Sequence, residues 1–371
     1  MPLLAKHRQV GGFRAIVAEL AFTHLIRASS WIGGVGLAPA LRRAPAVAAG
    51  PILLFGVERS GTSWLGKIFD SHPMTLYRHE PERQLEDFGL PWICADAAPG
   101  AFDAAASDYL RRMAAAATVK TTGPAPFFAK SYRNRTDTAL HRALAHGLRT
   151  LAALEPRRGG LHNLRLPDLA RGDRGAMRVV VKSVSGHGRA VLLTRAAADG
   201  QAVLLLRDPG GQVESVLRGA ARGKFTESAE FAWIPATPPG RRHGLTAANL
   251  ARMPVVEQLA WHWVVRNEMM LDDLTPLPNA RVLRYDDLCA DPAGEARALF
   301  AFTGLPWTRA TEAFIAASVA GAGRQGYYTV FRDPAATLHR WRERLAPGDR
   351  RRIAAILRQS ALAGWWPDFP D

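Results

Sequence analysis

The sequence predicts an α/β fold: a three-layer parallel sheet between helices, with helical and loop insertions over the carboxyl edge of the strands. Three observations carry that expectation. Short apolar runs, too brief for helices, recur along the 371 residues. Segments with helical spacing separate them. A glycine turn also joins the first apolar run directly to a helical pattern. Continuous apolar runs mark strands buried on both faces, and their alternation with helices marks a parallel sheet.

Residues 1–50 form an N-terminal amphipathic segment. Phe13, Ile16, Val17, Leu20, Ala21 and Leu25 recur at helical spacing, with Lys6, Arg8, Arg14 and Arg27 among them. Glu19 and His24 interrupt what would be the apolar core of a secretory signal. The segment is therefore expected to pack on the domain or to lie on a membrane surface as a peripheral contact. A cytoplasmic location follows as an expectation.

Residues 51–371 form the main domain. Pro51-Ile52-Leu53-Leu54-Phe55-Gly56 is the first strand, and Trp64, Leu65, Ile68 and Phe69 give the helix after it. Met74 to Tyr77 is the second strand, ending at Arg78-His79-Glu80. Val179 to Lys182 is the third, and Ala202 to Leu206 the fourth, followed by a helix near Gln212 to Arg222. Arg281 to Tyr285 is the fifth, with a helix near Ala293 to Phe302 and a last one from Pro347 to Ala363. Residues 83–176, rich in alanine and arginine, read as a helical insertion. Residues 223–255, with Pro235, Pro238, Pro239, Gly240 and Gly244, read as a long loop. Both leave the sheet where strands end, the usual place for acceptor-facing lids.

Composition removes several function classes. At 48% hydrophobic the chain can bury a large core, which excludes disorder. Cys94 and Cys289 are its two cysteines, too few for a disulfide framework or a zinc cluster. No apolar run approaches about 18 residues, so no transmembrane segment is expected. The formal charge is +15, nearly all of it from arginine, which suits a basic surface or an anionic ligand. A nucleic-acid partner is not expected, because no helix-turn-helix, zinc or aromatic-platform pattern accompanies that charge.

The most informative segment is Gly56-Val57-Glu58-Arg59-Ser60-Gly61-Thr62-Ser63-Trp64. A strand enters a glycine turn and a helix leaves it, so backbone N–H groups can converge on an anion. The spacing Gly56-x₄-Gly61 is that of a P-loop, but Thr62 stands where a nucleoside triphosphatase has lysine. A cation, Arg59, stands inside the loop instead. A P-loop kinase or NTPase is thereby disfavoured. The second segment is Leu206-Arg207-Asp208-Pro209, with Ser215 eight residues after Arg207. Arg207 leaves a buried strand at the sheet's ligand crevice, and Ser215 lies where it could share one external phosphate.

Together these segments resemble the PAPS-dependent sulfotransferase family. The resemblance continues through Arg284-Tyr285-Asp286-Asp287-Leu288, Leu299 to Pro306, and Trp341-Arg342-Glu343-Arg344-Leu345. Asp70-Ser71-His72-Pro73 and Glu80-Pro81 look most like the carbohydrate sulfotransferases. The resemblance implies a P-loop-like sulfotransferase fold and PAPS as co-substrate. A metal is not expected. Arg59, Ser60, Gly61, Thr62 and Ser63 would hold the 5′-phosphosulfate, Trp64 would face the adenine, and Arg207 with Ser215 would clamp the 3′-phosphate. Arg324 and Arg332 are candidates for a basic loop closing over that phosphate.

For the reaction itself, the resemblance implies a base and a strand-end lysine. Lys182 matches the lysine, but Val184 stands where many relatives carry a histidine base. Glu80, at the end of the second strand, is the expected base, with Glu82, Glu86 and His79 as neighbouring competitors. Its place beside the phosphate loop assumes that strands one and two are neighbours. A sulfuryl group carries less charge than a phosphoryl group, so arginines and loop amides can stand in for magnesium. The expected acceptor is a glycan hydroxyl; a small molecule, a lipid or a tyrosine are the alternatives. His187, His243 and His262 are read as structural or exposed.

Overall fold

A computed structural model describes residues 50–370, apart from 87–88, 95–97, 99, 155–159, 172–176, 224–230, 322–330 and 332–337. The N-terminal segment up to residue 49, Arg324 and Arg332 lie outside the described residues.

Five parallel strands form the sheet: β1 (Ile52–Phe55), β2 (Thr75–His79), β3 (Arg178–Ser183), β4 (Gln201–Leu206) and β5 (Ala280–Arg284). Their spatial order is β2-β3-β1-β4-β5. Thus β3, and not β2, lies beside β1, which corrects the assumption that the first two strands are neighbours. Phe55 pairs with Ser183 on one side and Leu204 on the other, while His79 pairs with Lys182. The ends of β2, β3, β1 and β4 therefore line up along one carboxyl edge.

Successive residues of a strand point to opposite faces, and the two cores follow that rule. Leu53, Phe55, Val179, Val181, Leu204 and Leu206 belong to one apolar layer, which includes Trp263 and Val264 of a long helix, here α8 (Val255–Leu274). Ile52, Leu54, Val180, Val203 and Leu205 belong to the other, with Leu65, Ile68 and Phe69 of α1 (Thr62–Asp70). The helix after β4, α5 (Pro209–Ala220), places Val213 in the first layer. Adjacent strands β1 and β4 thus send their following helices to opposite faces. That divergence opens the crevice where α/β sheets bind ligands.

The first insertion contributes α2 (Asp103–Ala115) and α3 (Arg135–Leu154), as its composition predicted. Buried ion pairs fasten it to the sheet. Lys67 of α1 and Lys130 of the insertion converge on Asp70, at 2.7 and 2.9 Å. Burial pushes the Asp70 carboxyl up, but Lys130 and Lys67 outweigh it and bring it to about 2. Arg78 of β2 makes a two-pronged bond to Asp168, at 2.8 and 2.6 Å. Removing one partner of such a pair would strand a buried charge.

After α4 (Ala190–Ala196) and α5, the second insertion differs from the expected loop. It contains α6 (Pro238–Arg242) and α7 (Ala247–Arg252), and α8 begins at Val255. The prolines start helices here. Thr237 accepts from the Gly240 N–H ahead of Pro238, and Thr246 with Asn249 forms a capping box. The chain ends with α9 (Tyr285–Ala290), α10 (Pro292–Thr303), α11 (Arg309–Val319), α12 (Trp341–Arg344) and α13 (Pro347–Arg358). Among the described residues, no helix is long and apolar enough to cross a membrane.

Candidate active site

The phosphate loop lies between β1 and α1. Its turn is closed by Ser60, whose N–H and hydroxyl both donate to the Val57 carbonyl, at 3.3 and 2.7 Å. Gly61 has φ 95°, and a Cβ there would lie 2.4 Å from the Tyr285 ring. No other residue type fits. The Trp64 and Leu65 N–H groups bond back to the Gly61 carbonyl and start the helix. The N–H groups ahead of them, around Thr62 and Ser63, have no partner within the helix and form its anion-attracting end.

Arg59, Arg207 and Ser215 meet beside that loop. Arg59 Nε donates to Ser215 Oγ at 2.9 Å, and Arg207 Nη1 donates to the Arg59 carbonyl at 2.8 Å. Three residues read from two distant segments therefore meet at one place. Arg207 also stands 5.0 Å from the centre of the Tyr285 ring, and its buried Nε has no hydrogen-bond partner. A buried guanidinium N–H lacking an acceptor favours a ligand oxygen. Gly211 makes room for it, since a Cβ there would come 2.9 Å from Arg207 Nη2. Asp208 caps α5 through the Gly211 N–H at 2.7 Å, and burial raises its carboxyl to about 6.

Within the loop, the side chains divide. Ser60 and Thr62 are buried, and Ser63 is half-buried at the helix start. Trp64 is 8% exposed, its indole N–H donates to Ser318 Oγ at 3.0 Å, and its ring meets Tyr285 edge-on. It lies mainly within the second core layer. Tyr285 touches both Gly61 and Arg207, a role that its place in the Arg284-Tyr285-Asp286 segment did not reveal.

The second cluster lies on the other side of β1, at the ends of β3 and its outer neighbour β2. Glu80 Oε1 is 2.5 Å from Lys182 Nζ, and Oε2 is 2.9 Å from Arg83 Nε. The Glu80 N–H donates to the Lys182 carbonyl at 2.8 Å, so backbone and side chain fix the same neighbour. Burial pushes the Glu80 carboxyl up, but Lys182, His79 and Arg83 hold it well below the usual carboxylate range. Glu82 is different. It is buried, accepts from Ser183 Oγ at 2.9 Å and Val184 N–H at 3.1 Å, and burial with nearby Glu80 raises its pKa. Glu82 thus fastens the end of β3, while Glu80 keeps an accessible edge. Glu86 is exposed.

A link that the sequence reading missed joins the phosphate loop to α8. Arg266 pairs with Glu58 and donates to the Val184 carbonyl, while its Nε reaches His187 Nδ1 at 3.2 Å. Gln212 Nε2 donates to the Glu58 carbonyl at 3.2 Å. An arginine directly after the apolar Trp263-Val264-Val265 was the available signal. Burial lowers His187 and His262, so both are neutral, as structural histidines are; His243 pairs with Glu268.

A sulfotransferase-family model matches residues 51–309, well over half of the chain. No curated protein matches the sequence. Among solved structures, the chain is similar to the sulfotransferase domain from the curacin biosynthetic pathway, at 15% identity, covering 84% of this chain and 97% of that one, with TM-score 0.39. It is also similar to a sulfotransferase from Alicyclobacillus acidocaldarius, at 17% identity, 85% and 98% coverage and TM-score 0.34. Mouse sulfotransferase SULT7A1 complexed with PAP matches at 11% identity, 86% and 89% coverage and TM-score 0.42. On the family match, this chain belongs to the sulfotransferase family, whose co-substrate is PAPS.

Proposed function

We propose that this enzyme transfers the sulfuryl group of PAPS to a carbohydrate hydroxyl, with Glu80 as the base. The observation that carries the reading is the meeting of Arg59, Arg207 and Ser215 beside the helix start. Such a cluster suits an adenosine with phosphates at both ends of its ribose. Arg207 and Ser215 would take the 3′-phosphate, and the loop amides with Arg59 the 5′-phosphosulfate.

In the transfer, the acceptor oxygen bonds to sulfur as the bond from sulfur to the 5′-phosphate oxygen breaks. The acceptor proton passes to Glu80, and PAP leaves. Lys182 supplies positive charge where the bridging oxygen becomes anionic. Glu80 is ionised at neutral pH and gains basic strength once Lys182 turns from it to the donor. Proton removal at this step contributes about 10²–10⁴-fold to the rate.

The glycan reading is supported by the Glu80-Pro81 match and by the basic character of the first insertion. Lys120 and Arg149 of that insertion act electrostatically on Glu80 and His79 respectively, so cations rim the acceptor side. An anionic sugar suits such a rim. The test has two arms. Calorimetry is expected to find PAP binding far more tightly than AMP, with Arg207→Ala weakening PAP about 10–100-fold, the worth of one charge-assisted bond. A glycan panel incubated with PAPS is expected to gain the mass of one SO₃. PAP binding no better than AMP sinks the nucleotide reading; transfer only to phenols, lipids or tyrosyl peptides sinks the glycan.

A further inference from the structure

We propose that His79 is a positioning residue for Glu80, held by Tyr77 in the tautomer that carries its proton on Nε2. This rests on Glu80 being the base. The phenol oxygen of Tyr77 lies 2.9 Å from His79 Nδ1, and the Tyr77 side chain is buried. A buried hydroxyl must donate its proton to an acceptor. Among the described residues, Nδ1 is the partner that the Tyr77 hydroxyl meets. Burial, with Asp70, Glu80 and Glu82 nearby, pushes the phenol's pKa well up, so it remains a donor. A neutral imidazole that accepts at Nδ1 carries its hydrogen on Nε2.

That hydrogen faces the base. His79 Nε2 is 3.7 Å from Glu80 Oε1, and the His79 N–H is tied to the Thr121 carbonyl at 2.7 Å. The ring is neutral: burial lowers it to about 3, Lys182, Lys67 and Arg149 add to the effect, and Glu80 opposes it. Space for the pair is built in. A Cβ on Gly66 of α1 would lie 2.3 Å from the Tyr77 oxygen, and one on Gly123 would lie 2.9 Å from its ring. The phenol therefore packs directly on the helix that carries the phosphate loop.

The arrangement addresses a specific problem. Lys182 and Arg83 hold the two Glu80 oxygens, and both are cations that reduce its basicity. Glu82 and Lys120 complete the charged surroundings. When the sulfuryl donor draws Lys182 Nζ away, Oε1 needs a donor that fixes its direction without adding charge. The Nε2–H group of a neutral imidazole meets that need. At 3.7 Å the contact is longer than a hydrogen bond, and it closes as Lys182 leaves.

The test reads the tautomer first, from the ¹⁵N shifts of the His79 ring in the PAP-bound protein. An Nε2–H ring is expected; an Nδ1–H ring overturns the proposal. Release of PAP from PAPS is then followed with an acceptor from the glycan panel, or with water as acceptor. His79→Gln, whose amide nitrogen can stand where Nε2 stood, is expected to keep kcat within about threefold. His79→Asn is expected to lose tenfold or more in kcat, a drop worth about 1.4 kcal/mol of barrier, with KM for PAPS unchanged. Equal losses in the two variants, or a parallel loss of PAP affinity, overturn the proposal. Glu80→Gln run alongside separates the two ideas. Full turnover there removes the base itself, whereas an inactive Glu80→Gln enzyme with equal Gln and Asn variants removes only the part given to His79.

Discussion

The two ends of the candidate site are built on different electrostatic plans. At the ends of β1 and β4, Arg207 rests on a carbonyl and a ring face, and its Nε is buried without an acceptor. At the ends of β2 and β3, Glu80 is already paired with Lys182 and Arg83. On the proposed function, the first end is set up in advance for an anion and the second is a closed charge pair that a reactant must reopen. Preformed donors would bind without reorganisation, and Glu80 as the base would stay ionised and oriented until Lys182 is needed elsewhere.

Both ends also carry backbone strain. Arg59 and Glu80 have φ of 69° and 47°, and they are two of four non-glycine residues with positive φ among those described. Left-handed backbone costs roughly 1–2 kcal/mol for such residues, and it gathers at functional positions. In Glu80 it bends the chain off β2 so that the Glu80 N–H and its carboxylate both face Lys182.

Substitutions at the two ends are expected to fail in different ways. The largest expected effect is that of Glu80→Gln, which should cut kcat by about 10²–10⁴-fold while leaving PAP affinity nearly intact. Turnover assays and calorimetry on one preparation check both halves, and a large loss of PAP binding would erase the distinction. At the other end, Gly211→Ala places a Cβ 2.8 Å from Asp208 Oδ2 and 2.9 Å from Arg207 Nη2. It should weaken PAP about tenfold, on the order of half the worth of a charged hydrogen bond, and leave kcat at saturating PAPS almost unchanged. An unchanged Kd would mean that Arg207 does not need this space.

The smallest effect concerns pH. The Asp208 carboxyl titrates near 6 in the folded chain against 3.8 ordinarily, because burial opposes its charge. The folded state then binds a proton more tightly than the unfolded one. Its contribution to stability is complete below about pH 3.8 and is lost as pH rises through 6. Asparagine also caps helices, so Asp208→Asn keeps the cap while removing the titration. Thermal melts should show the variant's Tm gaining on the parent's between pH 5 and 7. A constant difference across that range would argue that Asp208 ionises normally.

Much of this was legible in the residues. All five strands were found at their places, though with shifted ends, because continuous apolar runs leave few other options. The helix after β4 was read from Gln212 but begins at Pro209, since Asp208 and Pro209 make a better start than the apolar spacing suggested. The second insertion looks like a loop in sequence for a related reason. Its prolines sit at helix starts, where a missing N–H does no harm. Arg59, Arg207 and Ser215 were readable because each lies on a segment with its own local pattern. Tyr285 and the Arg266–Glu58 link were not, because their partners are far away in sequence and no local spacing encodes them.

The chain alone determined the layered architecture, the loop that ends β1 and the residue types gathered at the strand ends, because backbone hydrogen bonding and periodic burial act locally. Only the tertiary structure decided that β3 separates β1 from β2, so that Glu80 meets Lys182 at the end of the intervening strand. It also decided that Tyr285 lies against Gly61 and Arg207. Strand order and side-chain pairing depend on how distant segments compete for the same buried surface, and that competition is resolved only when the whole core closes.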